Sequence, residues 1–238
     1  MRNAKLLIPL LLVLLTTGCA PVDWLNPCFN DENLVLDPAL VGTWNGQDGN
    51  SVLRFRVAGD KAYELVDTEI QADNTEPEQS KYEAHLVRLG PYLFLDLLPQ
   101  APQIRPGAYT LPLASSADGT PSQPHFVKVG DGLFANLVQG PEVSEAGQEP
   151  GSYEVRLSQA HWVFRVWVDG NKLRFTDLSE DWFKEAVDRG SVQIGFDRID
   201  DTLVITASTE EIQAFLLEFG GDELAFPDKD ETEYRRRE

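Results

Sequence analysis

The chain has 238 residues, with 39 acidic and 20 basic side chains and a net charge of −19 at pH 7. Such a surface repels phosphate backbones and anionic head groups, which excludes nucleic acid as a partner. The length is sufficient for one sizeable hydrophobic core. We therefore expect a single folded domain.

The first eighteen residues have the pattern of a secretion signal. Arg2 and Lys5 precede an almost unbroken apolar run over residues 6–15. This length is typical of a signal-peptide core rather than of a membrane span. We expect residues 1–18 to be removed on export, which leaves a mature chain with a net charge of −21.

The apolar run ends at Thr16-Thr17-Gly18-Cys19. This segment resembles the lipobox of bacterial lipoproteins, although the family prefers Leu where Thr16 stands. The resemblance implies that Cys19 becomes the first mature residue and carries a diacylglyceryl group and a further acyl chain such as palmitate. Each buried methylene contributes about 0.8 kcal/mol, so two or more chains hold a protein on a bilayer without a transmembrane helix.

Ala20 follows the cysteine, at a position where Asp tends to keep such lipoproteins in the inner membrane. By resemblance, Ala20 favours the periplasmic face of the outer membrane in a bacterium that has two membranes. An ordinary secretory signal with an incidental cysteine is the alternative.

Residues 19–36 contain Pro21, Pro27 and several polar side chains, and they predict a tether between the lipid and the domain. The second cysteine, Cys28, lies within this segment. If Cys19 is acylated, Cys28 has no partner for an internal disulfide. It is then either an intermolecular bridge or a tether residue without a role.

Residues 37–227 have the period-two pattern of β-strands joined by tight turns. Glycine-containing turns at residues 59–60, 90–91, 130–132 and 169–171 predict four hairpins. The predicted strand segments are residues 53–57, 62–66, 82–89, 92–98, 126–129, 133–138, 153–157, 162–168, 173–175, 192–196 and 203–206.

The apolar period changes to that of a helix twice in the second half of the chain. Ser179 is followed by two acidic residues and predicts the N-cap of a helix over residues 179–189. Ser208 and Glu211 have the spacing of a capping box, which predicts a second helix over residues 208–219.

Polar segments separate and follow these elements. Residues 67–80 and 141–150 predict exposed loops, and the proline-rich residues 99–124 predict a long loop that could act as a lid. Residues 228–238 are almost wholly charged, and they predict a disordered tail.

Consecutive short strands predict an antiparallel meander, and closure into a barrel would remove its exposed edges. Val41-Gly42-Thr43-Trp44 resembles the Gly-x-Trp opening of lipocalins and other calycins, whose tryptophan plugs one end of the barrel. A tryptophan at the start of any β domain is the alternative. The predicted fold class is mainly β (α+β), an antiparallel lipocalin-like barrel or curved sheet with two helices in the C-terminal half.

Most of the chain resembles a group of uncharacterised bacterial lipoproteins. The resemblance lies in the Gly-x-Trp opening and in residues 85–90, 92–97 and 205–211. It brings no known activity or functional residue with it. Two helices also exceed the single helix usual in a lipocalin, which places a simple barrel topology in question.

Motifs for catalysis or metal binding are not found in the sequence. There is no Gly-x-Ser-x-Gly or Ser-x-x-Lys segment for a nucleophilic serine. His85, His125 and His161 are far apart and lack a second ligand at short spacing. Each is expected to be a strand residue with a local hydrogen bond, and we predict neither an enzyme nor a cofactor or metal.

Carboxylates occur in pairs and in one small cluster, and we interpret all of them as ordinary solvated charges. Polar loops offer no apolar surroundings that would shift a pKa. The cluster lacks the glycine and distal glutamate of a calcium-binding loop and is explained by a hairpin turn. These acids are Asp67 with Glu69, Glu76 with Glu78, and the cluster Asp197, Asp200 and Asp201.

Aromatic side chains on the predicted strands give the one indication of a function. They are Phe55, Tyr63, Tyr82, Phe94, Phe164, Trp167 and Phe175. A barrel lined with aromatics can hold an apolar ligand, although the same residues pack any β core. The sequence therefore favours a membrane-anchored envelope lipoprotein that binds a small hydrophobic ligand. The alternative is a structural or assembly lipoprotein that contacts an envelope protein through a sheet edge, the proline-rich loop or Cys28.

Overall fold

A computed structural model describes residues 22–47, 49–70, 76–100, 126–130, 133–139, 153–199, 202–227 and 232–237. The helices are α1 (Glu180–Asp188) and α2 (Thr209–Phe219). Among the described residues, no helix is long and apolar enough to span a membrane. The strands are β1 (Asp23–Trp24), β2 (Gly42–Gly46), β3 (Ser51–Val57), β4 (Tyr63–Glu69), β5 (Glu78–Leu89), β6 (Tyr92–Pro99), β7 (Phe126–Gly130), β8 (Leu133–Gln139), β9 (Tyr153–Gln159), β10 (His161–Asp169), β11 (Lys172–Thr176), β12 (Phe196–Ile199), β13 (Thr202–Ile205) and β14 (Thr232–Arg236).

Several predictions fall on residues outside this described part of the chain. They are the signal over residues 1–18, Cys19 and its acylation, His125, Asp200, Asp201, the loop over residues 141–150 and most of the proline-rich loop.

Eight strands close into an antiparallel barrel. Their order around the barrel is β2-β3-β4-β5-β6-β10-β11-β14, and β14 returns to β2. Strand β10 pairs with β6 along one edge. On its other edge, the second half of β10 (residues 165–169) pairs with β11. The prediction of a mainly β, lipocalin-like barrel with two helices is confirmed.

The two ends of the barrel differ. We call the end at which β2, β4, β6 and β11 finish the upper end, and the end at which they begin the lower end. Leu40 and Trp44 are fully buried at the lower end, where the indole Nε1 donates to the Leu40 carbonyl at 2.9 Å. Trp44 therefore occupies the place that the Gly-x-Trp resemblance implies.

The sheet continues outside the barrel through β1. This short strand pairs with the first half of β10, where Asp23 lies opposite Trp162. It also runs parallel to β13, which in turn pairs with β12. Strands β7, β8 and β9 form a separate three-stranded sheet.

A second hydrophobic core, the outer core, covers one side of the barrel. Leu95 on β6 faces the barrel interior, whereas the neighbouring Phe94 packs outward against Phe226 with ring centroids 5.9 Å apart. Helices α1 and α2 contribute Phe183 and Phe215, whose centroids are 6.1 Å apart. Strand β6 is therefore buried on both faces, as its apolar sequence predicts.

Both helices begin at the predicted caps. The Ser179 hydroxyl accepts a hydrogen bond from the Trp182 amide at 3.3 Å. At α2, the Ser208 hydroxyl accepts from the Glu211 amide at 3.3 Å, and the Glu211 carboxylate accepts from the Ser208 amide at 2.9 Å. These reciprocal bonds satisfy two amides that the first turn of a helix leaves unpaired, and they lower the pKa of Glu211.

The predicted tether is wrong for residues 22–36. Val22 and Trp24 are buried in the outer core, and Cys28 is fully buried beside them. A buried thiol cannot reach a second chain in the folded protein, so an intermolecular bridge through Cys28 is also ruled out for this fold. Burial of these apolar side chains outweighs the polar residues between them.

The same segment forms backbone hydrogen bonds with β5. The amide of Val35 donates to the Leu86 carbonyl at 2.9 Å, and the amide of Arg88 donates to the Asn33 carbonyl at 2.9 Å. Strand β4 pairs with β5 only as far as Ala84. Residues 33–35 thus occupy an edge of β5 that the barrel leaves without a partner.

The predicted disordered tail is wrong for residues 232–236. These residues form β14, which hydrogen-bonds to β11 on one side and to β2 on the other and thereby closes the barrel. Only Tyr234 faces the core. Because only one side chain of this strand is buried, its sequence shows no alternation of apolar residues. The backbone hydrogen bonds to β11 and β2 hold the strand in place.

Arg236 covers Trp44 at the lower end of the barrel. Its guanidinium carbon lies 4.3 Å from the centroid of the Trp44 ring. The guanidinium also donates to the carbonyls of Val41, at 2.7 Å, and Ala39. One side chain thus joins the last strand to the segment that opens the first strand of the barrel.

We predict that Arg236→Ala lowers the free energy of unfolding by about 2 kcal/mol, because a cation–π contact and hydrogen bonds to two carbonyls are lost. Arg235 is the matched control, since its side chain points outward and is 63% exposed. Arg235→Ala should change stability by less than about 0.5 kcal/mol. Urea denaturation measures both variants, and an equal effect would contradict the role of Arg236.

Candidate functional site

A cavity of about 140 Å³ lies inside the upper half of the barrel. Alternate residues of a barrel strand point inward, so one face of each strand supplies the lining. Most of the lining is apolar or aromatic. The residues are Leu53, Leu65, Asp67, Tyr82, Leu95, Leu97, Trp162, Phe164, Phe175 and Tyr234.

Aromatic rings form much of the cavity wall. Tyr82 packs against Trp162 with centroids 5.5 Å apart. Phe175 contacts Phe164 edge to face at 5.5 Å and stacks on Tyr234 at 5.3 Å. Because these rings restrain one another, the cavity has a wall of fixed shape.

Only some of the seven predicted aromatics reach this cavity. Tyr82, Phe164 and Phe175 line it, which agrees with the expectation from the sequence. The other four lie elsewhere: Phe55 and Tyr63 pack in the barrel core, Phe94 is in the outer core, and Trp167 lies beneath the guanidinium groups of Arg165 and Arg174. Trp162 and Tyr234 complete the wall, and Tyr234 lies in the stretch expected to be a disordered tail.

Asp67 is the one carboxylate among the described lining residues, and the prediction that it is an ordinary solvated charge is wrong. It lies on β4 rather than in a loop, one pleat beyond Leu65 and on the same inward face. Burial, followed by the negative charge of Glu69, raises its pKa from 3.8 to about 6. The sequence did not indicate this because β4 continues three residues, Asp67 to Glu69, into a polar stretch that predicts a loop.

The cavity adjoins a surface depression at the upper end of the barrel. A depression of about 440 Å³ outside the barrel is lined by residues of the β2–β3 turn, β3, β4 and β14. Asp67 and Tyr234 border both this depression and the cavity. A small molecule entering from the upper end would therefore meet Asp67 and Tyr234 first.

A second group of polar side chains lies between the barrel and the N-terminal segment. The fully buried Asp96 carboxylate accepts a hydrogen bond from the Cys28 amide at 2.9 Å and from His161 Nδ1 at 2.6 Å. His85 packs on the Phe29 ring with centroids 4.2 Å apart. His161 is a strand residue, as expected, and its hydrogen bond joins β10 to the neighbouring strand β6.

The chemistry of this Asp96 group favours a structural role. Burial, followed by the charge of Asp96, raises the pKa of the Cys28 thiol well above its usual value. The thiol therefore stays protonated and is a poor nucleophile at neutral pH. Burial also lowers the pKa of His85. Within the described part of the chain, no three His, Cys, Asp or Glu side chains are placed to hold a metal ion.

Comparisons of the chain with protein-family models, with curated proteins and with solved structures found no match. The class of the protein is therefore defined by its architecture, a closed, lipocalin-like antiparallel β-barrel of eight strands with two helices.

We predict that Asp67→Asn stabilises the protein. The folded state binds the Asp67 proton more tightly than the unfolded state, so stability is lost as pH rises from about 4 through about 6. Because Asp67 is partly exposed, we expect the variant to gain about 1 kcal/mol at pH 7 rather than the full value of the pKa shift. Urea denaturation should show this gain at pH 7 and its disappearance below pH 4.

Glu64→Gln is the matched control, because Glu64 lies on the outward face of the same strand and contacts Arg56 at 4.0 Å. This change should alter stability by less than about 0.5 kcal/mol. A loss of stability in Asp67→Asn at pH 7 would show that the carboxylate is not destabilising where it stands.

Proposed function

We propose that this protein is a membrane-anchored envelope lipoprotein whose barrel binds a small hydrophobic molecule. The observation that carries the proposal is the aromatic-walled cavity of about 140 Å³ in the upper half of the barrel. Ligand sites in proteins are concave and mostly apolar, with few polar groups to orient the ligand. The cavity fits this description, since Asp67 is the only carboxylate among the lining residues that the structure describes.

The size of the cavity limits the ligand. An apolar cavity of about 150 Å³ stays dry and admits a molecule of the size of benzene. The buried part of the ligand should therefore be a single ring or a short alkyl chain, and any longer part would extend past Asp67 into the depression at the upper end. A whole long-chain lipid would not fit.

A role in envelope assembly is the second candidate. Strand β12 is the last strand in the order of the large sheet, and Phe196 on it is 41% exposed. An edge strand with an exposed aromatic can accept a strand from another protein. Its length of four residues weighs against this, because short edge strands are a common protection against such pairing.

We predict that Leu97→Phe weakens binding of 2-phenylethanol at least tenfold, because Leu97 lines the cavity and the larger ring fills it. Leu98 is the matched control, since it follows on the same strand and points away from the barrel interior. Leu98→Phe should bind like the unchanged protein. Calorimetry on the full chain in phosphatidylcholine nanodiscs measures both variants, and equal binding would place the ligand outside the cavity.

The anchor is tested separately. We predict that Cys19→Ser abolishes incorporation of labelled fatty acid and leaves the protein unprocessed or released from the membrane fraction, because a serine hydroxyl does not form the thioether. Cys28→Ser is the control and should retain the label, since the structure places Cys28 in the core. Unchanged labelling of Cys19→Ser would refute acylation at that residue.

A further inference from the structure

The polar atoms of the cavity wall differ in whether they already have a partner. Trp162 Nε1 donates to Asp23 Oδ1 at 2.9 Å. The Tyr234 hydroxyl accepts from the Ser51 hydroxyl at 3.3 Å, and the Tyr82 hydroxyl is bonded to Ser80. These three groups orient the wall and have little capacity left for a ligand.

Asp67 is different. Its Oδ1 atom is buried and has no hydrogen-bond partner among the residues that the structure describes. A buried acceptor without a partner costs about 1–3 kcal/mol, and a charged one costs more. The backbone amide of Thr68 donates to this carboxylate, so within the described part of the chain the cavity contains one carboxylate oxygen that can still accept a hydrogen bond from a ligand.

The charges around Asp67 determine which partner is favourable. None of the described residues that line the cavity or the adjoining depression is Lys, Arg or His, and Glu69 adds a second negative charge beside the depression. A carboxylate or phosphate group would be repelled there. A protonated amine would pair with the Asp67 carboxylate in a partly desolvated site, where such a pair is stronger than in water.

The aromatic wall supports the same conclusion. The faces of tyrosine and tryptophan rings attract cations, and Tyr82 and Trp162 pack against each other in the same cavity as Asp67. The apolar part of the ligand would lie deeper, against Leu65 and Leu95, while Leu53 lies directly across the β3–β4 pair from Asp67.

We propose that the cavity selects small primary amines with an aromatic or short alkyl body, and that the ammonium group binds Asp67 while the body fills the space between the aromatic side chains. This inference rests on the proposed binding function and adds the chemical class of the ligand.

Three probes with the same phenyl body test this selection: 2-phenylethylamine, 2-phenylethanol and phenylacetate. At pH 7.5 we expect the full chain in phosphatidylcholine nanodiscs to bind the amine at least tenfold more tightly than the alcohol, with phenylacetate the weakest. Calorimetry measures the affinities, and empty nanodiscs correct for partitioning into the lipid.

Asp67→Asn should remove the preference for the amine, so that 2-phenylethylamine and 2-phenylethanol bind within about threefold of each other. Glu64→Gln, on the outward face of β4, should retain the preference. Since Asp67→Asn is expected to be at least as stable as the unchanged protein, a loss of amine binding cannot be attributed to unfolding.

Amine affinity should also fall about tenfold between pH 7.5 and pH 5 as Asp67 is protonated. The other titratable groups that face Asp67 are Glu69 on the same strand, Tyr82 on β5 and Tyr234 on β14. Burial raises the pKa of Tyr82 above its usual value of 10.0, so this tyrosine stays protonated over the interval. Affinity for 2-phenylethanol should change by less than threefold over the same interval.

The outcomes separate the two proposals. If 2-phenylethanol binds as tightly as the amine, or if Asp67→Asn keeps the preference, selection by Asp67 is overturned while hydrophobic binding stands. If none of the three probes binds, both proposals fail.

Discussion

The closure of the sheet by β14 is the constraint on which the rest of the structure depends. Without this strand, β2 and β11 would each present an unpaired edge, and the barrel would open. Closure of an eight-stranded sheet fixes the radius of the interior, which is just wide enough for side chains or one small ligand. The small cavity is a consequence of that geometry: the wide aromatic and leucine side chains fill the lower half and leave a gap in the upper half.

Within this closed wall, Asp67 is the position at which the sequence departs from what stability alone would favour. A carboxylate on an inward-facing strand position, beside apolar and aromatic neighbours, is costly, and an amide or a leucine would be better tolerated there. Proteins most often retain such destabilising residues at functional sites, where binding of a ligand offsets the loss of stability. The opposite case is Asp96, which is buried more completely but has two hydrogen-bond donors and holds the N-terminal segment against the barrel.

The sequence predicted those features that depend on contacts between residues close together in the chain. Hairpins such as β3–β4 and β5–β6 pair residues that are close in the chain and have clear apolar alternation, so their positions were predicted well. The same holds for the capping box of Ser208 and Glu211, which is a contact over three residues. These features need no knowledge of the rest of the fold.

The features that were predicted wrongly depend on distant partners. Strand β14 is charged in sequence and is ordered by ladders to strands far away in the chain, and the stacking of Arg236 on Trp44 has no local signal. Cys28 is buried because Asp96, 68 residues away, accepts its amide hydrogen bond. For Asp67, the inward face could have been extrapolated from Leu65, but a run of acids gave the opposite indication.

The burial of Val22 has a consequence for any molecule that approaches the barrel. Three peptide units separate Cys19 from Val22, and an extended chain spans at most about 3.5 Å per residue, so an acylated Cys19 would lie within roughly 10 Å of the folded body. The chain enters that body at β1, beside the upper half of β10, which is the end of the barrel that the cavity faces. If Cys19 is acylated as proposed above, this short connection would hold the upper end of the barrel close to the bilayer surface.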